Sequence, residues 1–216
     1  MDRKNKKIKG VEGLVEEIES LKKSDVGRLV DTRIKEFAEL GHGSGEELFL
    51  ELCFCITTAN CAADKCMRIQ KEIGRGFITL PEKELGARLK NLGYRFHNRS
   101  SYLVEARKHK DILTGLISAH SAGDPREFLA KNVKGLGYKE ASHFLRNIGY
   151  KDYAIIDFHI VDLLAERGVI ERPKTVTKKK YLEIEEILKC LAERTSLCLA
   201  ELDLYLWYLE TGRILK

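Results

Sequence analysis

The sequence predicts an all-α protein, and three observations carry that prediction. Apolar residues recur at helical spacing along most of the 216 residues, alternation of period two is nearly absent, and only three prolines occur. Two of them, Pro81 and Pro125, stand where a helix would begin. Val11, Leu14, Val15, Ile18 and Leu21 define the apolar face of a first helix, and Leu48, Phe49, Leu52, Cys53 and Ile56 that of another. Asp124 before Pro125 is a capping residue type, so a helix is expected over 126–133. Ala141, Phe144, Leu145 and Ile148 then share one face of the next helix. Asp157 follows the apolar run Ala154, Ile155, Ile156 and precedes Ile160, Val161, Leu163 and Leu164, the pattern of an N-cap. Pro173 lies in the polar segment 171–180, read as a linker before the helix of Tyr181, Ile184, Ile187, Leu188 and Leu191. No internal repeat is visible, and the lysine-rich start is the one biased segment.

Composition narrows the function classes. Lys and Arg number 38 against 33 Asp and Glu, and the resulting charge of +5 permits nucleic-acid binding without requiring it. Residues 1–9 are basic but lack the apolar stretch of a signal peptide, and no apolar run reaches the length of a membrane span. A soluble, intracellular protein is expected. Of the six cysteines, Cys53, Cys55, Cys61 and Cys66 lie in one helix-like stretch, with Cys190 and Cys198 far away. Those spacings match neither zinc pairs nor ferredoxin runs, so the thiols read as buried or semi-exposed groups in a reducing compartment, packing as small hydrophobes. A chain of this length forms one domain or two small lobes.

The most informative stretch runs from Asn132 to Arg146. Gly135-Leu136-Gly137 joins two helical segments in a helix-hairpin-helix, in which the backbone N–H groups of Gly135 and Gly137 are expected to meet a phosphate. Lys134, Arg95, Arg99 and Arg146 are the candidate cations around it. Lys139 falls in the first turn of the second helix, where the positive helix end disfavours a cation. It is either one more phosphate ligand or a lysine held there for its neutral, nucleophilic amine. Asp157 is likewise either a plain cap or a carboxylate with a second task. Phe96, between Arg95 and His97, and Trp207, the single tryptophan, are either core aromatics or stacking surfaces for a base. His159 reads as a packed core group and is not assigned to catalysis.

A hairpin, a lysine in its second helix and an aspartate capping the next helix resemble the signature of the helix-hairpin-helix Gly-Pro-Asp superfamily of DNA glycosylases. Within it the sequence is similar to the archaeal-type, or second-type, 8-oxoguanine DNA glycosylase/AP lyases. The matching blocks are 52–60, 68–74, 93–96, the hairpin through Gly149, 156–159 and 203–209. The resemblance implies a two-lobed all-α fold with its active site in the cleft between lobes. Residues 43–149 would form a helical barrel containing the hairpin, and 1–42 with 150–216 the second lobe. It also implies that Lys139 attacks the sugar, that Asp157 assists, and that Phe96 and Trp207 sandwich the damaged base. The terminal carboxylate of Lys216 would accept the N7–H that distinguishes 8-oxoguanine from guanine. No metal or organic cofactor is required, and the implied partner is double-stranded DNA containing 8-oxoguanine, with no membrane and no obligate protein partner. A cytoplasmic, nucleoid-associated location follows. One departure is Phe158, a position often basic in the family, which removes an expected phosphate contact. Two alternatives stay open: an endonuclease III-like glycosylase for oxidised pyrimidines, whose relatives carry a four-cysteine iron–sulfur loop unlike anything in this sequence, and a non-catalytic hairpin module that only binds DNA.

Overall fold

The computed structural model describes residues 3–118 and 123–216; Met1 and Asp2, the first residues of the basic start, lie outside them. The helices are α1 (Arg3–Lys22), α2 (Asp25–Gly41), α3 (Gly45–Thr58), α4 (Ala63–Ile73), α5 (Gly76–Thr79), α6 (Glu82–Asn91), α7 (Ser100–Ala106), α8 (Lys110–Ser118), α9 (Pro125–Asn132), α10 (Tyr138–Asn147), α11 (Phe158–Glu166), α12 (Lys178–Arg194) and α13 (Leu199–Thr211). Two short 3-10 turns flank α7, and no strand occurs among the described residues. The chain divides into two compact units, Phe37–Gly149 on one side and Met1–Glu36 with Tyr150–Lys216 on the other. The division falls inside α2 rather than after residue 42.

In the 37–149 unit the organising element is α3. From Leu48 to Thr58 it is buried almost all round, the mark of a core helix, and α4, α8 and α10 pack against it. Its N-terminus is closed by a reciprocal cap: Ser44 Oγ accepts from Glu47 N–H at 3.3 Å, and Glu47 Oε2 accepts from Ser44 N–H at 2.8 Å. At the other end the orphan carbonyls are taken by side chains, Tyr94 donating to Thr57 O at 2.8 Å and Arg99 Nη1 to Ala59 O at 2.6 Å. The cysteine-bearing stretch is therefore two helices rather than one, broken at Asn60, which adopts φ +56°. None of the six cysteines, all among the described residues, forms a disulfide.

The second helix of the hairpin, α10, is tied to this core as well as packed on it. Ala141, Phe144, Leu145 and Ile148 are buried, and Asn147 Nδ2 donates to the buried Glu51 carboxylate on α3 at 2.5 Å. A buried polar group left without such a hydrogen bond costs about 1–3 kcal/mol, so this contact ties α10 to α3.

In the other unit α11 and α12 both pack on α13, and α1 on α12 and α13. Arg194 pairs with Glu12 at 2.7 Å and Arg167 with Glu17, fastening α1 to the later helices. The linker before α12 is shorter than expected, because Thr177 Oγ1 accepts from Lys180 N–H at 3.3 Å and starts the helix at Lys178. The extended run Ala154, Ile155, Ile156 is pinned from α12: Tyr181 OH donates to Ala154 O at 2.6 Å and accepts from Ile156 N–H at 3.2 Å, while Glu185 accepts from Ala154 N–H at 3.0 Å. Buried N–H and C=O groups left unpaired cost about 1–3 kcal/mol each, so these contacts fix where the chain delivers Asp157. No helix among the described residues is long and apolar enough to cross a membrane.

Candidate active site

The hairpin is built as the glycine pattern requires. Asp124 caps α9, accepting from Arg126 N–H at 2.9 Å, and Pro125 fills its first position. Gly135 has φ +92°, and a Cβ there would lie 2.9 Å from Tyr102 Cδ2 and 3.5 Å from Ile56 Cγ2. Both the conformation and the space exclude any other residue. Lys134 is exposed, with its Nζ 4.8 Å from the Tyr102 ring centroid, so Tyr102 is the floor of the turn. The sequence reading missed it, and nothing local in sequence connects residue 102 to a turn at 135.

Gly137 differs from expectation. Its N–H is taken by Glu140 Oε2 at 3.1 Å, so it caps α10 from within and is not offered to a phosphate. An acidic residue three positions after the cap was the available signal. Lys139 occupies the second position of α10 and is half-buried, and its Nζ has neither a hydrogen-bond nor an ion-pair partner among the described residues. Arg146 is also not where a phosphate ligand belongs. It is 3% exposed, with its guanidinium carbon 4.6 Å from the Phe37 ring centroid, and that burial withdraws it from the set of DNA contacts.

Phe96 is half-buried on a prepared surface. The guanidinium carbons of Arg95 and Arg99 lie 4.6 and 4.4 Å from its ring centroid, and the Tyr94 ring meets it edge-on at 5.9 Å. Arg99 is itself anchored, Nη1 donating to Ala59 O, Ile56 O and Tyr94 OH, while its Nη2 and Nε have no partner among the described residues. Burial pushes the Tyr94 hydroxyl well above its ordinary pKa, with Arg99 opposing it, so at neutral pH it stays a proton donor to Thr57 O. Arg95 is exposed.

In the other unit Asp157 is the N-cap of α11, its Oδ1 accepting from Ile160 N–H at 3.1 Å. The second oxygen has no partner among the described residues. Capping thus uses one of the two carboxylate oxygens. Trp207, on α13, is half-buried, and the His159 ring meets it edge-on, centroids 5.1 Å apart at 83°. Its Nε1–H is buried with no acceptor among the described residues. Beyond α13, Gly212 in the left-handed conformation closes the helix onto Tyr208 O at 2.8 Å, Ile214 is buried and Lys216 is half-buried. The residues singled out in sequence therefore fall in two groups: Arg95, Phe96, Arg99, Lys134, Gly135, Gly137, Lys139 and Arg146 in one unit, and Asp157, Trp207 and Lys216 in the other. No group of three or more His, Cys, Asp or Glu that could hold a metal occurs among the described residues.

The described residues are all-α, and α9 and α10 joined through Gly135-Leu136-Gly137 make the chain a helix-hairpin-helix protein. The Ogg-HhH family, 8-oxoguanine DNA glycosylase, matches residues 30–197. The 8-oxoguanine DNA glycosylase/AP lyase of Methanocaldococcus jannaschii is 54% identical over 205 residues, covering 94% of this chain and 99% of that one. That of Korarchaeum cryptofilum is 50% identical over 210 residues, 96% and 100% of the two chains. The crystal structure of the M. jannaschii glycosylase/lyase in complex with a 15mer DNA containing 8-oxoguanine superposes with a TM-score of 0.88 at 53% identity, covering 94% of this chain and 99% of that chain. The chain belongs to the 8-oxoguanine DNA glycosylase family.

Proposed function

We infer that the protein is a bifunctional 8-oxoguanine DNA glycosylase/AP lyase of base-excision repair. The near-full-length identity to glycosylase/lyases of that name carries the reading. In it the Lys139 amine attacks C1′ of the flipped nucleotide and the base leaves with the glycosidic electrons. The resulting Schiff base acidifies C2′, and β-elimination expels the 3′ phosphate. The free oxygen of Asp157 takes the proton from the Lys139 ammonium and hands it on to the departing base, and the carboxylate so restored balances positive charge on the sugar. No cofactor enters this scheme.

Phe96 and Trp207 are the proposed stacking surfaces for the base, and Lys134, Arg95, Arg99 and the Gly135 backbone the phosphate contacts. The identity reading also favours a cytoplasmic, nucleoid-associated protein. A duplex carrying 8-oxoguanine should be cut after base release, and a duplex carrying an oxidised pyrimidine left intact. The reverse preference would favour the endonuclease III-like alternative. Neither reaction, with DNA binding retained, would leave the binding module.

Two expectations test the base site. Phe96→Ala and Trp207→Ala should each weaken binding of a lesion duplex by about 1–3 kcal/mol, the range for one lost base–aromatic stack, with undamaged duplex bound nearly as before. If Trp207→Ala instead melts the protein, its task is packing. Lys216 is proposed to read N7–H of 8-oxoguanine through its carboxylate. Adding a residue after Lys216, or deleting it, should lower 8-oxoguanine excision sharply while cleavage at a preformed abasic site continues. Equal loss of both activities, or of neither, would contradict that role.

A further inference from the structure

Phe158 is the most exposed large hydrophobic side chain among the described residues, at 62%. It occupies the first position of α11, directly after Asp157. The buried face of that helix is made by Ile160, Val161, Leu163 and Leu164, so the Phe158 ring lies outside it. Its orientation is nevertheless set. The ring lies 4.0 Å, centroid to centroid, from His159 with the planes tilted 35°, and His159 meets Trp207 edge-on at 5.1 Å. His159 Nδ1 is in turn 3.7 Å from Glu210 Oε1. Three rings thus run in contact from Trp207, the proposed base platform, out to an exposed phenyl beside the proposed catalytic carboxylate.

The geometry points to Phe158 as a further DNA-contacting aromatic, whose outer face stacks on a base next to the extruded nucleotide. This inference rests on the glycosylase reading. Extrusion leaves neighbouring bases with one unstacked face, and an apolar ring already held in place restores that contact without new ordering of the side chain. Because the ring is neutral it displaces no counterions, so its contribution does not depend on salt.

Binding of an 8-oxoguanine duplex and of the undamaged duplex, measured by fluorescence anisotropy over a range of salt concentrations, tests the assignment. Phe158→Ala should weaken binding of the lesion duplex by roughly ten-fold or more and of the undamaged duplex less, with the dependence of log K on log[salt] unchanged. Phe158→Tyr should retain wild-type affinity. Phe158→Lys should steepen the salt dependence by about 0.9, the increment for one added phosphate contact. Wild-type affinity in Phe158→Ala, or loss of self-association with DNA affinity intact, overturns the inference while excision by the wild-type protein keeps the glycosylase reading. A wild-type protein that neither binds nor excises the lesion overturns both.

Discussion

Lys139→Gln leaves a folded protein that still binds an 8-oxoguanine duplex but no longer releases the base or cuts the strand. Glutamine keeps most of the length of the side chain and lacks a nucleophilic amine. Since the Lys139 Nζ has no hydrogen-bond or ion-pair partner among the described residues, no polar contact of the fold is lost with it. Position two of α10 is where a helix end disfavours a cation, so neutralising it should stabilise the protein by about 0.3–1 kcal/mol. Single-turnover excision should fall by about three orders of magnitude or more, as when a nucleophile is removed from a catalytic unit. Loss of activity with unchanged or raised thermal stability separates chemistry from folding. Excision near the wild-type rate would remove Lys139 from the mechanism.

Asp157→Asn should slow excision by about 10²–10³-fold, the scale for losing one electrostatic group aimed at developing charge, while barely moving the melting temperature. The reason lies in how the carboxylate is divided. Oδ1 holds Ile160 N–H at 3.1 Å, a bond the asparagine oxygen can make equally well, whereas the proton acceptor on the other side becomes an amide. Asp157→Ala is the contrasting variant, because it also removes the cap and should cost about 0.5–2 kcal/mol of stability. An Asp157→Asn protein with full activity per folded molecule would make Asp157 a cap and nothing more.

Much of this organisation was legible in the sequence, because local rules and tertiary structure agree there. The Asp124-Pro125 start, the buried face of α10 and the Asp157 cap are set by residues within one helical turn of each other, and the family resemblance supplied the roles. What the sequence hid depends on residues far apart in the chain. Arg99 could be recognised as a cation but not as a clamp on the α3 carbonyls, because Ala59 lies forty positions away. Arg146 reads as a surface charge until Phe37 is seen beneath it. The ring contact that runs from Phe158 through His159 to Trp207 joins two helices separated by α12, and periodicity carries no information about such a pairing. Gly137 is the exception. Glu140 lies three positions on, within the same helical turn, so the consumption of the Gly137 N–H is a local feature of the sequence.

The central claim is a covalent bond between the Lys139 amine and the sugar of the lesion nucleotide. Sodium borohydride reduces a Schiff base to a stable secondary amine, so the wild-type protein mixed with an 8-oxoguanine duplex and borohydride should yield a cross-linked species. Peptide mapping of that species should place the adduct on Lys139, and Lys139→Gln should give none while still retarding the duplex. An adduct mapped to another lysine, or base release by the wild-type protein with no trapped species, would contradict the account.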